Sequence, residues 1–256
     1  SFLRDLATGG LPAAAGEGLE TVVLDLLLKA ERAGEDGRPP LALKRLEESV
    51  HDLEMLASWM GATKPTAAQR QTKIHAFLDM LEDEGSQTTS PSLSAQEWAE
   101  TREMIWDGDL GATPAGRRFA AAIFGRMNAY VVARDSRPST IPLAPPVVPS
   151  ATSFRLEHIL PVSRATKRDW GAEWPDPEER QTWAYRMANL VLVPGRPTAK
   201  EVRGAFDKKV LRYGAVSAEE LPLTRCLADL EVWSGEKAVE RQQALIEIFD
   251  DMWTVQ

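Results

Sequence analysis

The pentapeptide E-H-I-L-P at residues 157–161 contains the side chains in this 256-residue chain that are best suited to hydrolytic chemistry. Glu157 offers a carboxylate for a divalent cation, and His158, one of three histidines, offers an imidazole that exchanges a proton near neutral pH. Pro161 cannot extend a strand ladder, so a strand is expected to end here. Alone, the string is better explained as a strand entering a turn, with the histidine capping a backbone carbonyl.

The residues that follow favour a catalytic interpretation. N-L-V-L-V at 189–193 predicts a second strand, and a charged, helix-prone stretch reaches F-D-K-K at 206–209. We predict strands at 154–159 and 190–193 and a helix at 198–210 with Phe206 facing inward. A carboxylate and a histidine on one strand, then a second strand, then a helix is the element order of a ββα-metal nuclease.

The first 135 residues predict a helical bundle, in which we expect His51 and His75 to be solvated surface residues. Ser94 and Glu97 form a capping-box pattern. Apolar residues recur at helical spacing, with Gly61 ending the second helix. They are Leu19, Val22, Val23, Leu26 and Leu27; Leu43, Leu46, Val50, Leu53, Leu56 and Met60; Ile74, Phe77, Leu78 and Leu81; and Phe119, Ile123, Met127 and Tyr130.

Five prolines between Pro138 and Pro149 forbid a helix and favour an extended connector over 136–153. The predicted domains are therefore a helical bundle at 1–135 and a second domain at 154–256 with closing helices. The fold class is mainly α with a small α+β insert. The buried face of the last helix is predicted to comprise Leu245, Ile246, Phe249 and Trp253, and Trp170, Trp174 and Trp183 are expected to pack the loop between the strands rather than to stack on bases.

Composition limits the cofactor and the compartment. The single cysteine, Cys226, excludes an internal disulfide and any cysteine-pair zinc site, so a metal would be held by oxygen and nitrogen ligands, which favours Mg²⁺ or Mn²⁺. No apolar run is long enough to cross a bilayer, and no signal-peptide pattern is found. We therefore expect a cytoplasmic location and no membrane partner.

The net charge of −8 has the wrong sign for a protein that binds nucleic acid over its whole surface. Residues 151–213, however, contain 12 Lys and Arg against 8 Asp and Glu. A DNA-contacting surface would lie in this segment, although local asymmetry of this size is also ordinary.

Three strings resemble one family: E-H-I-L-P, R-M-A-N-L-V-L-V at 186–193 and F-D-K-K-V-L-R-Y at 206–213. They are similar to the C-terminal HNH-type nuclease region of GmrSD-type, modification-dependent restriction enzymes. The similarity continues through L-P-L-T at 221–224, Trp233, Arg241 and Trp253, and more faintly at W-M-G-A-T-K, residues 59–64. Within this group, SspE-like, phosphorothioate-sensing anti-phage effectors have a comparable two-part architecture.

The resemblance implies a Mg²⁺- or Mn²⁺-dependent endonuclease acting on foreign DNA, and a role for each matching position. His158 would be the general base, Glu157 a metal ligand and Asn189 the asparagine that ties the two strands together and orients the histidine. Lys209 could contact phosphate. Other basic side chains expected near phosphate are Arg186, Lys200, Arg203 and Lys208.

The sequence departs from the family pattern where the metal shell should be completed. A second asparagine usually lies nine residues after the first, and here that position is Thr198, whose hydroxyl is a shorter oxygen ligand. Arg203 and Ala188 replace a further asparagine and a glycine. The alternative function is therefore a catalytically degenerate HNH-fold module that binds DNA or docks a protein.

The resemblance also implies an absent partner. Full-length members of the family begin with a nucleotide-binding domain, and none of its motifs occurs in this chain, which begins with Ser1. We expect the chain to be the C-terminal part of a longer protein, with specificity for DNA sequence or modification residing mainly in the other domain.

Overall fold

The computed structural model describes residues 19–31, 43–82, 93–135, 154–162, 170–195, 198 and 203–253. They are mostly helical, with one two-stranded antiparallel sheet. The helices are α1 (Leu19–Glu31), α2 (Leu43–Thr63), α3 (Ala67–Glu82), α4 (Ala95–Asp107), α5 (Pro114–Asp135), α6 (Pro177–Trp183), α7 (Phe206–Gly214), α8 (Pro222–Arg225) and α9 (Gly235–Trp253). The strands are β1 (Phe154–His158) and β2 (Leu190–Pro194), and short 3₁₀ helices span Met187–Asn189 and Cys226–Asp229.

The chain divides into two compact units, Ser1–Met104 and Ile105–Gln256. The first contains α1, α2 and α3, which contact one another through the apolar faces that the spacing predicts. The predicted capping box is present, because the amide of Ser94 donates to the Glu97 carboxylate and the amide of Glu97 donates to Ser94 Oγ. One boundary was predicted wrongly: α2 continues through Gly61 to Thr63, and Lys64 then adopts a φ of 51°.

The sheet of the second unit pairs β1 with β2 in a regular register from Phe154 opposite Pro194 to His158 opposite Leu190. Leu156 and His158 are buried, whereas Arg155 is exposed and Glu157 is half-buried, as side chains alternate along a strand. Residues 190–193 of β2 are all buried, so this strand is covered on both faces. The predicted strands are confirmed to within one residue at each end.

Helix α5 belongs with the sheet, since it contacts both strands and α9. The sequence grouped this helix with the N-terminal bundle because its apolar spacing resembles that of the preceding helices. The proline-rich connector at 136–153 lies outside the described residues, so its extended form stays a prediction.

Within the helix predicted over 198–210, Thr198 is exposed and in no regular element, and residues 199–202 lie outside the described residues. Arg203 is helical, and α7 begins at Phe206 after a break at residues 204–205. Phe206 is buried, as predicted, in a core that includes Val191 and Val193 of β2. The three loop tryptophans are buried in the same core, and the predicted apolar face of α9 is buried as well. None of the helices among the described residues is long and apolar enough to cross a membrane.

Candidate functional site

Asn189 joins the end of β1 to the start of β2. Its side chain is completely buried, and its Oδ1 accepts a hydrogen bond from the amide of Leu160 at 2.7 Å. Its Nδ2 donates to the carbonyls of Leu160 and Ala184, both at 2.9 Å. All the polar atoms of the amide are thus used by backbone groups, which fixes the position of the segment directly after His158.

Lys209 supports the same segment from α7. Its ammonium group donates to the carbonyls of His158 and Ile159, both at 2.8 Å, and the side chain is only 7% exposed. Burial lowers the pKa of Lys209 to about 8. The sequence placed this lysine near phosphate, whereas in the structure the ammonium group is directed at the protein's own backbone.

His158 lies at the end of β1 with its two ring nitrogens in different surroundings. Nε2 is buried and has no hydrogen-bond partner among the described residues. A Cβ atom added to Gly111 would lie 3.1 Å from it, so the α4–α5 loop covers this nitrogen closely. Nδ1 lies 3.4 Å from Nη1 of Arg117, and Tyr185 contacts the ring edge-on.

The electrostatic environment keeps the His158 imidazole neutral. Burial, followed by the positive charges of Arg117 and Lys209, lowers the pKa of His158 to about 4. A neutral imidazole has a lone pair with which to accept a proton, but at this pKa it is a weaker base than an ordinary histidine.

Glu157 is the carboxylate of the described residues that interacts with the charges around His158. Burial raises the pKa of Glu157 above its usual range. Four cations oppose that effect, namely Arg117, Lys209, Arg212 and Arg155. The region around Glu157 therefore has an excess of positive charge, which suits an anionic ligand.

Two neighbouring residues on α9 form hydrogen bonds with the backbone of the residues before and after Asn189. Gln242 accepts a hydrogen bond from the amide of Ala188 at 2.7 Å, and Arg241 donates to the carbonyls of Ala188 and Leu190 at 3.0 and 3.3 Å. Arg241 also donates to the carbonyl of Leu223. The backbone on both sides of Asn189 is thereby fixed to α9.

The other residues predicted to contact phosphate differ in their surroundings. Arg186 lies 3.2 Å from Asp107 and stacks over Trp183, so its charge is partly engaged. Arg203 and Lys208 are exposed, while Lys200 lies outside the described residues. Thr198 is exposed.

The described residues offer a metal ion only a minimal set of ligands. No cluster of three or more His, Cys, Asp or Glu side chains that could hold a metal exists among them. Mg²⁺ needs only one or two carboxylates when water and substrate phosphate complete its shell. The half-buried carboxylate of Glu157, beside a cluster of charges that attracts a phosphate, fits that requirement.

Sequence reasoning missed Arg117, Arg241 and Gln242. They lie 41, 53 and 54 residues from their partners along the chain, so no local spacing pattern contains them. Arg241 was among the residues that resemble the family, but the resemblance did not indicate which groups it contacts.

A compact helical unit that holds a histidine and a glutamate at one end of a small antiparallel sheet is consistent with a hydrolytic nuclease. The chain belongs to the family of C-terminal domains of GmrSD restriction endonucleases, which it matches over residues 118–248, just over half of its length. The match begins in α5 and includes every residue of the site from β1 to α9. No match was found among curated proteins. Family membership implies a nuclease function related to restriction, with DNA as the class of substrate.

Proposed function

We propose that the chain is a divalent-metal-dependent DNA endonuclease whose HNH-type site is built on β1, β2 and α7. It would nick or cut foreign DNA as the effector part of a restriction or anti-phage defence protein. The observation that carries this proposal is the attachment of the His158 segment by Asn189 and Lys209, within a family of restriction endonucleases. Such attachment holds a catalytic side chain in a fixed orientation, which is what general base catalysis requires.

In this mechanism His158 takes a proton from a water molecule whose oxygen bonds to phosphorus. The P–O bond opposite the attacking oxygen breaks, and the leaving oxygen takes a proton from solvent. Asn189 and Lys209 position the histidine through the backbone. Glu157 would hold the Mg²⁺ or Mn²⁺, with Thr198 as a further oxygen ligand, and the metal supplies charge that stabilises the phosphoryl transition state.

The family resemblance also supplies the proposed phosphate contacts, partner domain and target DNA. Arg186, Lys200, Arg203 and Lys208 are proposed as contacts to flanking phosphates. A nucleotide-binding domain at the N-terminal side is proposed as a partner, with phosphorothioate-modified DNA as one candidate target. The sequence divided the chain into a bundle at 1–135 and a nuclease domain at 154–256, and we propose that the nuclease domain also includes α5, which contacts both strands.

A degenerate HNH-fold module that binds DNA or docks a protein is the second candidate function. The absence of a preformed cluster of metal ligands among the described residues favours it, as does Thr198 at the position of the usual asparagine. The two candidates differ in whether phosphodiester bonds are cut.

The proposal is tested by incubating the purified chain with supercoiled plasmid in EDTA, in Mg²⁺ and in Mn²⁺. We expect open-circle DNA only with a metal, and a nicking rate lowered at least about 100-fold in Glu157→Gln, which removes the proposed ligand charge. Glu219→Gln, at an exposed carboxylate far along the chain, should nick like the wild type. Plasmid that is bound but never cut, with any of these metals, would instead support the degenerate module.

A further inference from the structure

Arg117 is one of the residues of the site to which neither the sequence nor the family resemblance assigned a role. It projects from the first turns of α5 to β1, where Nη2 donates to the carbonyl of Leu156 at 2.5 Å and Nη1 lies 3.4 Å from Nδ1 of His158. The side chain is half-buried. One guanidinium group thus contacts the backbone carbonyl just before Glu157 and the imidazole just after it.

Among the described residues, Arg117 has no partner in an ion pair. No carboxylate among the described residues lies within ion-pair distance of its guanidinium. Glu157, which interacts with it electrostatically, is shared with three other cations. A half-buried guanidinium without an anionic partner, in a region of excess positive charge, is suited to a phosphate, which it can bind through two parallel N–H donors.

The contact with Nδ1 has a chemical consequence. A guanidinium is always protonated and has only donors, so Nδ1 must accept. The neutral imidazole therefore bears its proton on Nε2, the nitrogen buried beneath Gly111. Nδ1 is then the nitrogen that has the free electron pair, and Arg117 occupies it in this structure.

We propose that Arg117 is a phosphate-binding residue of this site that occupies Nδ1 of His158 in the absence of DNA and releases it when a backbone phosphate of the substrate binds its guanidinium. The proposal rests on the proposed nuclease function and adds to it a link between substrate binding and the availability of the base. A phosphate oxygen is a stronger acceptor for Nη1 than a neutral imidazole at 3.4 Å. The free Nδ1 can then accept a proton from water.

The link is tested without cleavage by ¹⁵N NMR of histidine-labelled protein, because the chain has only three histidines and His51 and His75 serve as internal references. In EDTA, a 20-base-pair duplex should shift the Nδ1 resonance of His158 in the wild type. The duplex should produce the same shift in Arg118→Gln, which removes an exposed charge from the adjacent position of α5. It should produce little shift in Arg117→Gln, where Nδ1 is already free.

Cleavage supplies the second readout, as single-turnover nicking in Mg²⁺ or Mn²⁺. Arg117→Gln should lower the rate about 100-fold, as loss of one positioned donor to a reacting oxyanion does. Arg117→Lys keeps the charge but not the paired N–H donors of the guanidinium, so its rate should be intermediate. The rate of Arg118→Gln should stay within about two-fold of the wild type. Equal rates in both glutamine variants, or no response of wild-type Nδ1 to bound duplex, would overturn the proposal. If the wild type binds DNA and never nicks it, the nuclease function fails, while the NMR titration still decides the role of Arg117.

Discussion

The side chain of Asn189 fixes backbone in the proposed site. Its side chain accepts a hydrogen bond from the amide of Leu160, in the segment that follows His158, and donates to the carbonyls of Leu160 and Ala184. Since all the polar atoms of its side chain have partners, replacement leaves three buried backbone groups without a hydrogen bond. We therefore expect replacement of Asn189 to lower both the stability of the protein and its activity.

For Asn189→Ala we expect a loss of about 3 kcal/mol in the free energy of unfolding, because each buried polar group left unsatisfied costs about 1–3 kcal/mol. Nicking should fall as well, since His158 loses its fixed orientation. Urea denaturation measures the first effect. Gln181→Ala, which truncates an exposed amide on α6, should change stability by no more than about 0.5 kcal/mol.

Lys208 and Lys209 are adjacent in sequence but should behave differently. Lys209→Met keeps the apolar stem and removes the donors to two buried carbonyls, so we expect a loss of about 2 kcal/mol in stability and slower nicking at saturating DNA. Lys208→Met removes an exposed charge. It should leave stability within about 0.5 kcal/mol and weaken DNA binding, with a smaller dependence on salt. Similar effects from both substitutions would contradict these assignments.

For single residues, the sequence indicated which side chains could take part in hydrolysis but not all of the residues that contact them. Glu157 and His158 were found because a carboxylate, an imidazole and a proline occur within five residues. The contacts of Arg117 with His158 depend on how α5 packs against β1, and no pattern within a single element encodes that packing. The buried position of Lys209 was missed for the same reason.

Among the elements, the two strands were predictable because short apolar, β-branched runs end at Pro161 and at Pro194-Gly195. The start of α7 was not, because residues 198–205 have helical propensity and the break at residues 204–205 does not show in the apolar spacing. The grouping of α5 with the sheet likewise depends on long-range packing. The contribution of α9 to the site could not be predicted from the sequence. Its buried polar residues form hydrogen bonds with the backbone just before β2, more than 50 residues away along the chain.

We expect Arg241→Met to loosen the start of β2. The variant fills a similar volume but leaves the carbonyls of Ala188, Leu190 and Leu223 without their donor, at a cost of about 3 kcal/mol. Hydrogen exchange should become faster for the β2 amides. Gln243→Met, on the exposed face of the same helix, is the matched control. Unchanged protection of β2 in Arg241→Met would show that α9 does not hold this strand.

For the whole molecule, the acidic net charge and the basic site are compatible because DNA contact needs only a local positive region. The family match runs from within α5 to within α9, so the helix before the proline-rich segment and the helices after the sheet belong to one family domain. Within that unit His158 is where the contacts from α5, β2, α7 and the α4–α5 loop meet.

The most direct test of this account is therefore the rate of plasmid nicking by His158→Ala relative to His75→Ala, with saturating Mg²⁺ or Mn²⁺. His75 is exposed on α3, so its replacement controls for the loss of a histidine. We predict that His158→Ala nicks at least about 100-fold more slowly at unchanged DNA affinity, in the range expected for loss of a general base, and that His75→Ala equals the wild type. Equal nicking by the two variants would show that the catalytic centre lies elsewhere.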